Sequence, residues 1–437
     1  MRVQRRQLVC SAAAVSAMLV AACGGSSSGT SGSGGQTSSS SIKTIKGGPG
    51  VDIVNKTITI GDIDALSGPG AALGKPALNG ATAYWDGVNA RGGVDGWKIN
   101  FGPARDNNYP STQQHVLAFN AIKDSVALLD SFGSPTTLSI QKDVDALHLV
   151  TAPLSWDSLW GADLDMAPLG TPYALDVANA LDYVSNAGAK KLKVGIIYQN
   201  DAYGQDGLRG FKAAVEAYGL TDVGEKGFAI PGTTDYTAQV QALKSAGAED
   251  VVVTAIPSSS GPIVGTAATL NFHPQWILQG PSYIEQLMTQ DGTTAGKPTQ
   301  IAPALTGALV MMFCSTWGDP NAPGMKRVLA DQARYFPQQA PSIYFTWAYA
   351  QAMVEEAILK KAIASGDLSR QGIHNAKVNL GTVDLQGLAP NVTYSGQPGP
   401  PSRASLIEQV STGVASFLKP VKTDYEGRVA RTLTVGS

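Results

Sequence analysis

The chain is poor in cysteine, histidine and charge, and each shortage removes a class of function. Four histidines occur among 437 residues. His115, His148, His273 and His374 show no His-Glu-x-x-His spacing and read as surface or packing residues, so no metal is expected. Of three cysteines only Cys314 lies in the body of the chain, after the apolar run 308–313, and it has no disulfide partner. Charged residues make up 15% of the chain, with a formal net charge of -2, which gives no reason to expect nucleic acid or an acidic surface as partner. Beyond the first 22 residues no segment reaches the roughly 18 continuous apolar residues of a membrane span. Nucleotide motifs fail as well. In Gly68 to Pro76, Pro69 stands for the first glycine of a phosphate loop and Pro76 for its Ser or Thr, while Gly204, Gly207 and Gly210 lack the tight first pair of a dinucleotide site. Gly25-Ser26-Ser27-Ser28-Gly29 matches a serine-hydrolase elbow only in letters, without a strand and helix around it. No catalytic constellation and no cofactor motif are legible, so the chain does not read as an enzyme.

What is present begins at the N-terminus. Arg2, Arg5 and Arg6 precede a short apolar run ending in Ala21-Ala22-Cys23, the pattern of an export signal. Its end resembles a bacterial lipobox. That resemblance implies cleavage after residue 22, lipidation of Cys23 and anchorage at the outer face of the bacterial cytoplasmic membrane, with contact to the membrane through the lipid alone. Arg5-Arg6-Gln7-Leu8-Val9 loosely resembles a twin-arginine signal, so both export routes stay open. Residues 23–50 then read as a tether, because Gly24 to Ser41 is almost wholly Gly, Ser and Thr and has no apolar face with which to recover the entropy of ordering.

From Thr57 onward, short β-rich runs alternate with amphipathic helical patterns, which predicts an α/β fold of βαβ units with parallel sheets. Strands are expected at 58–66, 97–101, 125–129 and 148–152. One helix carries Leu78, Ala81, Tyr84, Trp85 and Val88 and stops at Gly92-Gly93, and another spans 136–145. After the irregular stretch 161–172 the pattern restarts with a strand at 193–198, a helix burying Leu208, Phe211, Val215 and Tyr218, and strands at 251–255 and 276–279. Two doubly wound lobes follow, with loops at the carboxyl ends of their strands and a binding cleft between them.

Ser67-Gly68-Pro69, Asn89 to Val94, Gly133-Ser134, Asp201-Ala202-Tyr203-Gly204 and Tyr344 to Tyr349 together resemble the type I periplasmic substrate-binding proteins, in the leucine/isoleucine/valine-binding group of ABC-transporter receptors. The resemblance implies a three-crossing hinge near 168–171, 313–317 and 399–403, with one lobe from 51–170 and 315–400 and the other from 171–314 and 401–437. It implies a monomer that presents a small carboxylate- or amide-containing ligand, such as a branched-chain or aromatic acid or amino acid, to a permease and its ATPase. A sensory lipoprotein on the same scaffold is the alternative. It places Ser67 and Leu73 in a first binding loop, Ser134 and Ser155 as carboxylate donors with Thr136 beside them, Trp156 next to that loop and Tyr203 as a closing aromatic. Ser258 stands where a second tyrosine is common. Ser282, followed by Tyr283, stands where amino-acid receptors carry the acid that meets the ligand ammonium. Ser134 also reads independently as an anion donor or a cap at a helix start. An apolar acid or amide is therefore expected over a free amino acid, unless Glu285 or Asp157 supplies the missing charge.

Overall fold

The computed structural model describes residues 45–436. The export signal, Cys23 and most of the expected tether lie outside the described residues. The tether's expected end at residue 50 comes too late: the Lys46 amide donates to the Gly366 carbonyl at 2.9 Å, and the Leu368 amide returns to Lys46 at 2.7 Å.

The first sheet contains β1 (Val51–Asp52), β2 (Thr57–Asp64), β3 (Lys98–Asp106), β4 (Leu128–Phe132) and β5 (Thr151–Leu154). Its parallel part runs β3-β2-β4-β5, and β1 pairs antiparallel with β2. The second sheet contains β6 (Lys193–Gln199), β7 (Thr221–Phe228), β8 (Asp250–Thr254), β9 (Gln275–Gln279) and β10 (Leu309–Met312). After the small hairpin of β11 (Gly381–Val383) and β12 (Val392–Tyr394), β13 (Ser405–Val410) and β14 (Leu418–Tyr425) close the second sheet's antiparallel edge, giving the order β14-β13-β10-β9-β8-β6-β7. All five residues of β4 and of β8 are buried. Parallel strands covered by helices on both faces read as continuous apolar runs for this reason.

In each sheet the first full strand has its successor on one side and the next strand on the other: β2 lies between β3 and β4, and β6 between β7 and β8. The strand order therefore reverses at β2/β4 and at β6/β8, where the loops splay apart and leave a crevice. The chain leaves the first sheet after β5 and returns after β10, when the helices Met325–Tyr335 and Ile343–Ser365 pack against the helix Ala71–Ala90. It crosses again before β13.

The helix Ala71–Ala90 ends as its Gly92-Gly93 predicts. Gly92 and Gly93 have φ of 104° and 79°, and the Gly93 amide caps the Val88 carbonyl at 3.0 Å. Three expected boundaries move. The strand placed at 125–129 is Leu128–Phe132, because Ser125 still completes a helix end by bonding Ile122 and the pairing Ile60↔Leu128 starts the strand. The strand placed at 148–152 is Thr151–Leu154, since His148 is a left-handed helix cap at φ 47°. The helix placed at 136–145 is two short helices, Ser134–Leu138 and Gln141–Leu147. Val215 is only half-buried, unlike Leu208, Phe211 and Tyr218.

Candidate functional site

The loops at the two strand-order reversals meet around a small, narrow cavity, the place where open α/β sheets bind ligands. Leu73 follows β2, Tyr109 follows β3, Phe132, Gly133 and Ser134 end and follow β4, and Leu154 and Trp156 end and follow β5. The second sheet contributes Tyr203 after β6, Ile256 after β8 and Pro281 after β9. Tyr173, Tyr344 and Trp347 complete the wall from two helix starts.

No charged side chain is among these lining residues. Aromatic rings dominate. Trp156 lies 4.3 Å from Trp347 and 5.9 Å from Tyr173, centroid to centroid, and Tyr173 lies 4.4 Å from Tyr203. Three tyrosine hydroxyls of this wall are already engaged. The Tyr109 hydroxyl accepts from Gln199 Nε2 at 3.1 Å and donates to Asp201 at 3.4 Å. The Tyr344 hydroxyl lies 3.2 Å from both the Gly280 and the Tyr283 carbonyls, and the Tyr203 hydroxyl pairs with Ser282 Oγ at 3.4 Å. Among the described residues, three donors of the wall are buried without a hydrogen-bond partner: Ser134 Oγ, Trp156 Nε1 and Trp347 Nε1. A buried donor left unmade costs roughly 1–3 kcal/mol, which a ligand acceptor within its reach would recover.

Ser134 is the first residue of its short helix, with Gly133 at the cap position, and its hydroxyl makes no capping bond. Gly133 has φ 92°, and a Cβ there would lie 2.5 Å from the Tyr109 ring. Glycine is what lets β4 turn sharply enough to bring Ser134 to the wall.

Of the residues expected from sequence, Leu73, Ser134, Trp156 and Tyr203 come together in the cavity wall. The others do not line it. Ser67 is exposed and bonds Asn108 at 3.2 Å. Thr136 turns its hydroxyl back to the Phe132 and Gly133 carbonyls. Ser155, in the bend that follows β5, turns away from the cavity and accepts from Trp160 Nε1 at 3.0 Å. Ser258 is exposed on the helix Pro257–Thr269. Ser282 is fully buried behind Tyr203, accepting from the Ala255 amide at 3.1 Å and donating to Val253 at 2.8 Å. The Tyr283 hydroxyl donates to the Ser416 carbonyl at 3.0 Å. Sequence reasoning missed Tyr109, Phe132, Leu154, Tyr173, Ile256, Pro281, Tyr344 and Trp347 as wall residues. Phe132, Leu154 and Ile256 sit at strand ends, which the rule of carboxyl-end loops could have found. Tyr173 and Trp347 sit one element away and carried no such signal.

Neither suspected carboxylate lines the cavity, although Asp157 lies close behind Ser134. Glu285 accepts from the Ile343 amide at 3.0 Å, and burial pushes its pKa up to about 7. Asp157 accepts from the Leu159 amide at 3.0 Å and faces a separate surface depression with Asp206 and Arg209. Burial, and then the neighbouring Asp206 charge, raise it to about 7.

Comparison with known proteins bears on the family and the fold. A family model described as "Periplasmic binding protein" matches residues 57–414. A Leu/Ile/Val-binding protein homolog 3 from Brucella melitensis is 33% identical over 200 residues, which are 44% of this chain and 53% of that protein. The chain thus spans about half the length of that relative. A Leu/Ile/Val-binding protein homolog 7 from the same species is 26% identical over 57% of this chain and 68% of its own length. Among solved structures, a fatty acid ABC transporter substrate-binding protein from Thermomonospora curvata superposes with a TM-score of 0.81 at 25% identity, covering 90% of this chain and 98% of the other. A branched-chain amino acid ABC transporter structure from Thermus thermophilus with bound valine gives 0.73 at 17% identity, over 86% of this chain and 98% of the other, a likeness of fold.

Proposed function

The chain belongs to the periplasmic binding protein family, and on that premise we propose that it is an extracytoplasmic receptor for a small monocarboxylic acid with an apolar body. The observation that carries this reading is the wall itself: no charged side chain, a ring of aromatics, and three unpartnered donors in Ser134, Trp156 and Trp347. A carboxylate accepts from such donors, and its hydrocarbon body matches Leu73, Phe132, Leu154 and Ile256. A zwitterion would also bury an ammonium without a counter-charge, which costs on the order of 3–5 kcal/mol, the loss seen when one partner of a buried pair is removed. The relative titled for fatty acids supports the apolar acid. Those titled for leucine, isoleucine and valine keep a branched-chain amino acid as the second reading.

In this reading the two sheets with their helices are lobes that close on the ligand about the chain crossings, and the closed form is handed to a permease and its ATPase. Lipidation of Cys23 holds the protein at the outer face of the cytoplasmic membrane. A sensory partner in place of the permease is the alternative for the same closed form.

Calorimetry on matched pairs tests the ligand class. 4-Methylpentanoate is expected to bind more tightly than leucine, and 3-phenylpropionate more tightly than phenylalanine, by two to three orders of magnitude or so if the unpaired ammonium carries its full cost. Tighter binding of the amino acid in both pairs would return the site to the amino-acid class.

A further inference from the structure

Away from the cavity, five ligand-type side chains gather on the outside of the first sheet's helices from three stretches far apart in sequence. Asp145 and His148 end the helix Gln141–Leu147, Asp163 and Asp165 lie in the turn before Met166, and His374 projects from the helix Arg370–Val378. One oxygen of Asp165 lies 3.2 Å from His148 Nδ1 and the other 2.5 Å from His374 Nδ1. The ligand atoms of His148, Asp165 and His374 all fall within 4.8 Å of one another, and so do the carboxylate oxygens of Asp145, Asp163 and Asp165. Asp165 belongs to both sets. The histidines that read from sequence as packing residues are in this pair brought together on one carboxylate.

The supports are built around these groups. Asp163 Oδ2 accepts from Gln141 Nε2 at 2.8 Å and its Oδ1 from the Asp165 amide at 2.8 Å, which fixes the carboxylate's direction. The Asp165 carbonyl accepts from the Thr151 amide at 2.9 Å, tying the turn to β5. Such outer bonds are what orient metal ligands in proteins. Asp165 is buried, whereas half of the His148 side chain is exposed, so the cluster is open to solvent on one side. Lys377 is the nearby cation. Its ammonium donates to the Leu164 carbonyl at 3.0 Å and sits 5.3 Å over the Tyr394 ring, and it forms no ion pair with these carboxylates among the described residues.

We propose that His148, His374 and Asp165, completed by Asp163 or Asp145, bind a divalent transition-metal ion of the Zn²⁺ class. Two imidazoles with carboxylates suit Zn²⁺, Co²⁺ or Ni²⁺ and not the all-oxygen shells of Ca²⁺ or Mg²⁺. Zinc bonds of about 2.0–2.2 Å set neighbouring tetrahedral ligand atoms about 3.3 Å apart. The His148 Nδ1 to Asp165 Oδ2 separation already matches, whereas His374 Nδ1 sits at hydrogen-bond distance from the other oxygen and has to give up that bond to turn to the ion. The ion would staple the helix Arg370–Val378, which arrives late in the chain, to a helix and a turn laid down before residue 170. This site is separate from the ligand cavity and does not depend on what that cavity holds.

The test is calorimetric titration of ZnCl₂ into chelator-treated purified protein, alongside the absorption spectrum on adding Co²⁺. One equivalent should bind, the Co²⁺ bands should report four or five ligands, and Zn²⁺ should raise Tm. His148→Asn and His374→Asn should each weaken binding about tenfold or more and together abolish it with the Tm rise, whereas His273→Asn, at an exposed position elsewhere, should change nothing. If the double variant does not fold, the half-exposed His148→Asn alone carries the comparison. Absence of saturable binding, or equal binding by wild type and His148→Asn, would show that the cluster is held by hydrogen bonds only and overturn the proposal.

Discussion

The ring of Trp156 stacks on that of Phe313 with centroids 3.9 Å apart and planes at 26°. Trp156 follows β5 of the first sheet and Phe313 follows β10 of the second, so one aromatic contact joins the two sheets beside the cavity. Gly170 packs against the same indole, where a Cβ would lie 2.6 Å from Trp156 Nε1. Trp156→Ala should therefore lower stability by about 3–5 kcal/mol and weaken ligand binding together, read by urea unfolding and by calorimetry on the same preparation. Trp156→Phe should keep most of the stability. A Trp156→Ala protein as stable as wild type would show that the stack carries little.

Ser134 separates binding from folding. A hydrogen bond to a charged group contributes roughly 1.5–3 kcal/mol, so Ser134→Ala should weaken 4-methylpentanoate binding by about ten- to a hundredfold. Its Tm should stay level or rise slightly, because the hydroxyl is buried and unpartnered. Unchanged affinity would remove Ser134 from the site.

Four carboxyls are buried within the first sheet's core: Asp62 and Asp64 on β2, Asp130 opposite Asp62 on β4, and Glu355 on the helix Ile343–Ser365. Burial raises all four above the usual carboxylate range, Glu355 to about 8 from 4.5. The folded state then keeps the Glu355 proton between pH 4.5 and 8 while the unfolded chain has released it, so stability is fully present at the low end and declines as pH rises through that window. Tm should fall from pH 5.5 to 8.5. Glu355→Gln should flatten that fall and be the more stable protein at pH 8.5, by an amount on the order of a few kcal/mol. Parallel wild-type and variant Tm curves would refute it.

Gly80 lies where the helix Ala71–Ala90 crosses the helix Ile343–Ser365, and a Cβ there would sit 2.2 Å from the Phe345 carbonyl oxygen. Alanine favours an isolated helix by up to about 1 kcal/mol over glycine. Here the obstacle is backbone, which cannot rotate aside. Gly80→Ala should thus be net destabilising by about 1–3 kcal/mol, and a Tm at or above wild type would contradict the close approach.

Much of the fold was legible because local patterns encode it. Apolar runs of strand length, helices with one buried face and the Gly92-Gly93 stop are short-range signals, and they determined the α/β alternation and its restart near Lys193. Boundaries near Leu128 and Thr151 were set instead by pairing with β2 and β4, which no local window contains. Of the cavity wall, Leu73, Ser134, Trp156 and Tyr203 were expected from the resemblance, and each follows a strand whose carboxyl end opens on the crevice. Only the tertiary structure decided that Ser155 turns away to Trp160 and that Ser282 is spent on Ala255 and Val253. The direction of a side chain depends on which partners the neighbouring elements offer. Tertiary packing alone also brought Tyr173 and Trp347 to the cavity and His374 to His148. Those contacts join segments remote in the chain, and proximity of that kind is fixed by how the sheets and helices close on one another rather than by residue spacing.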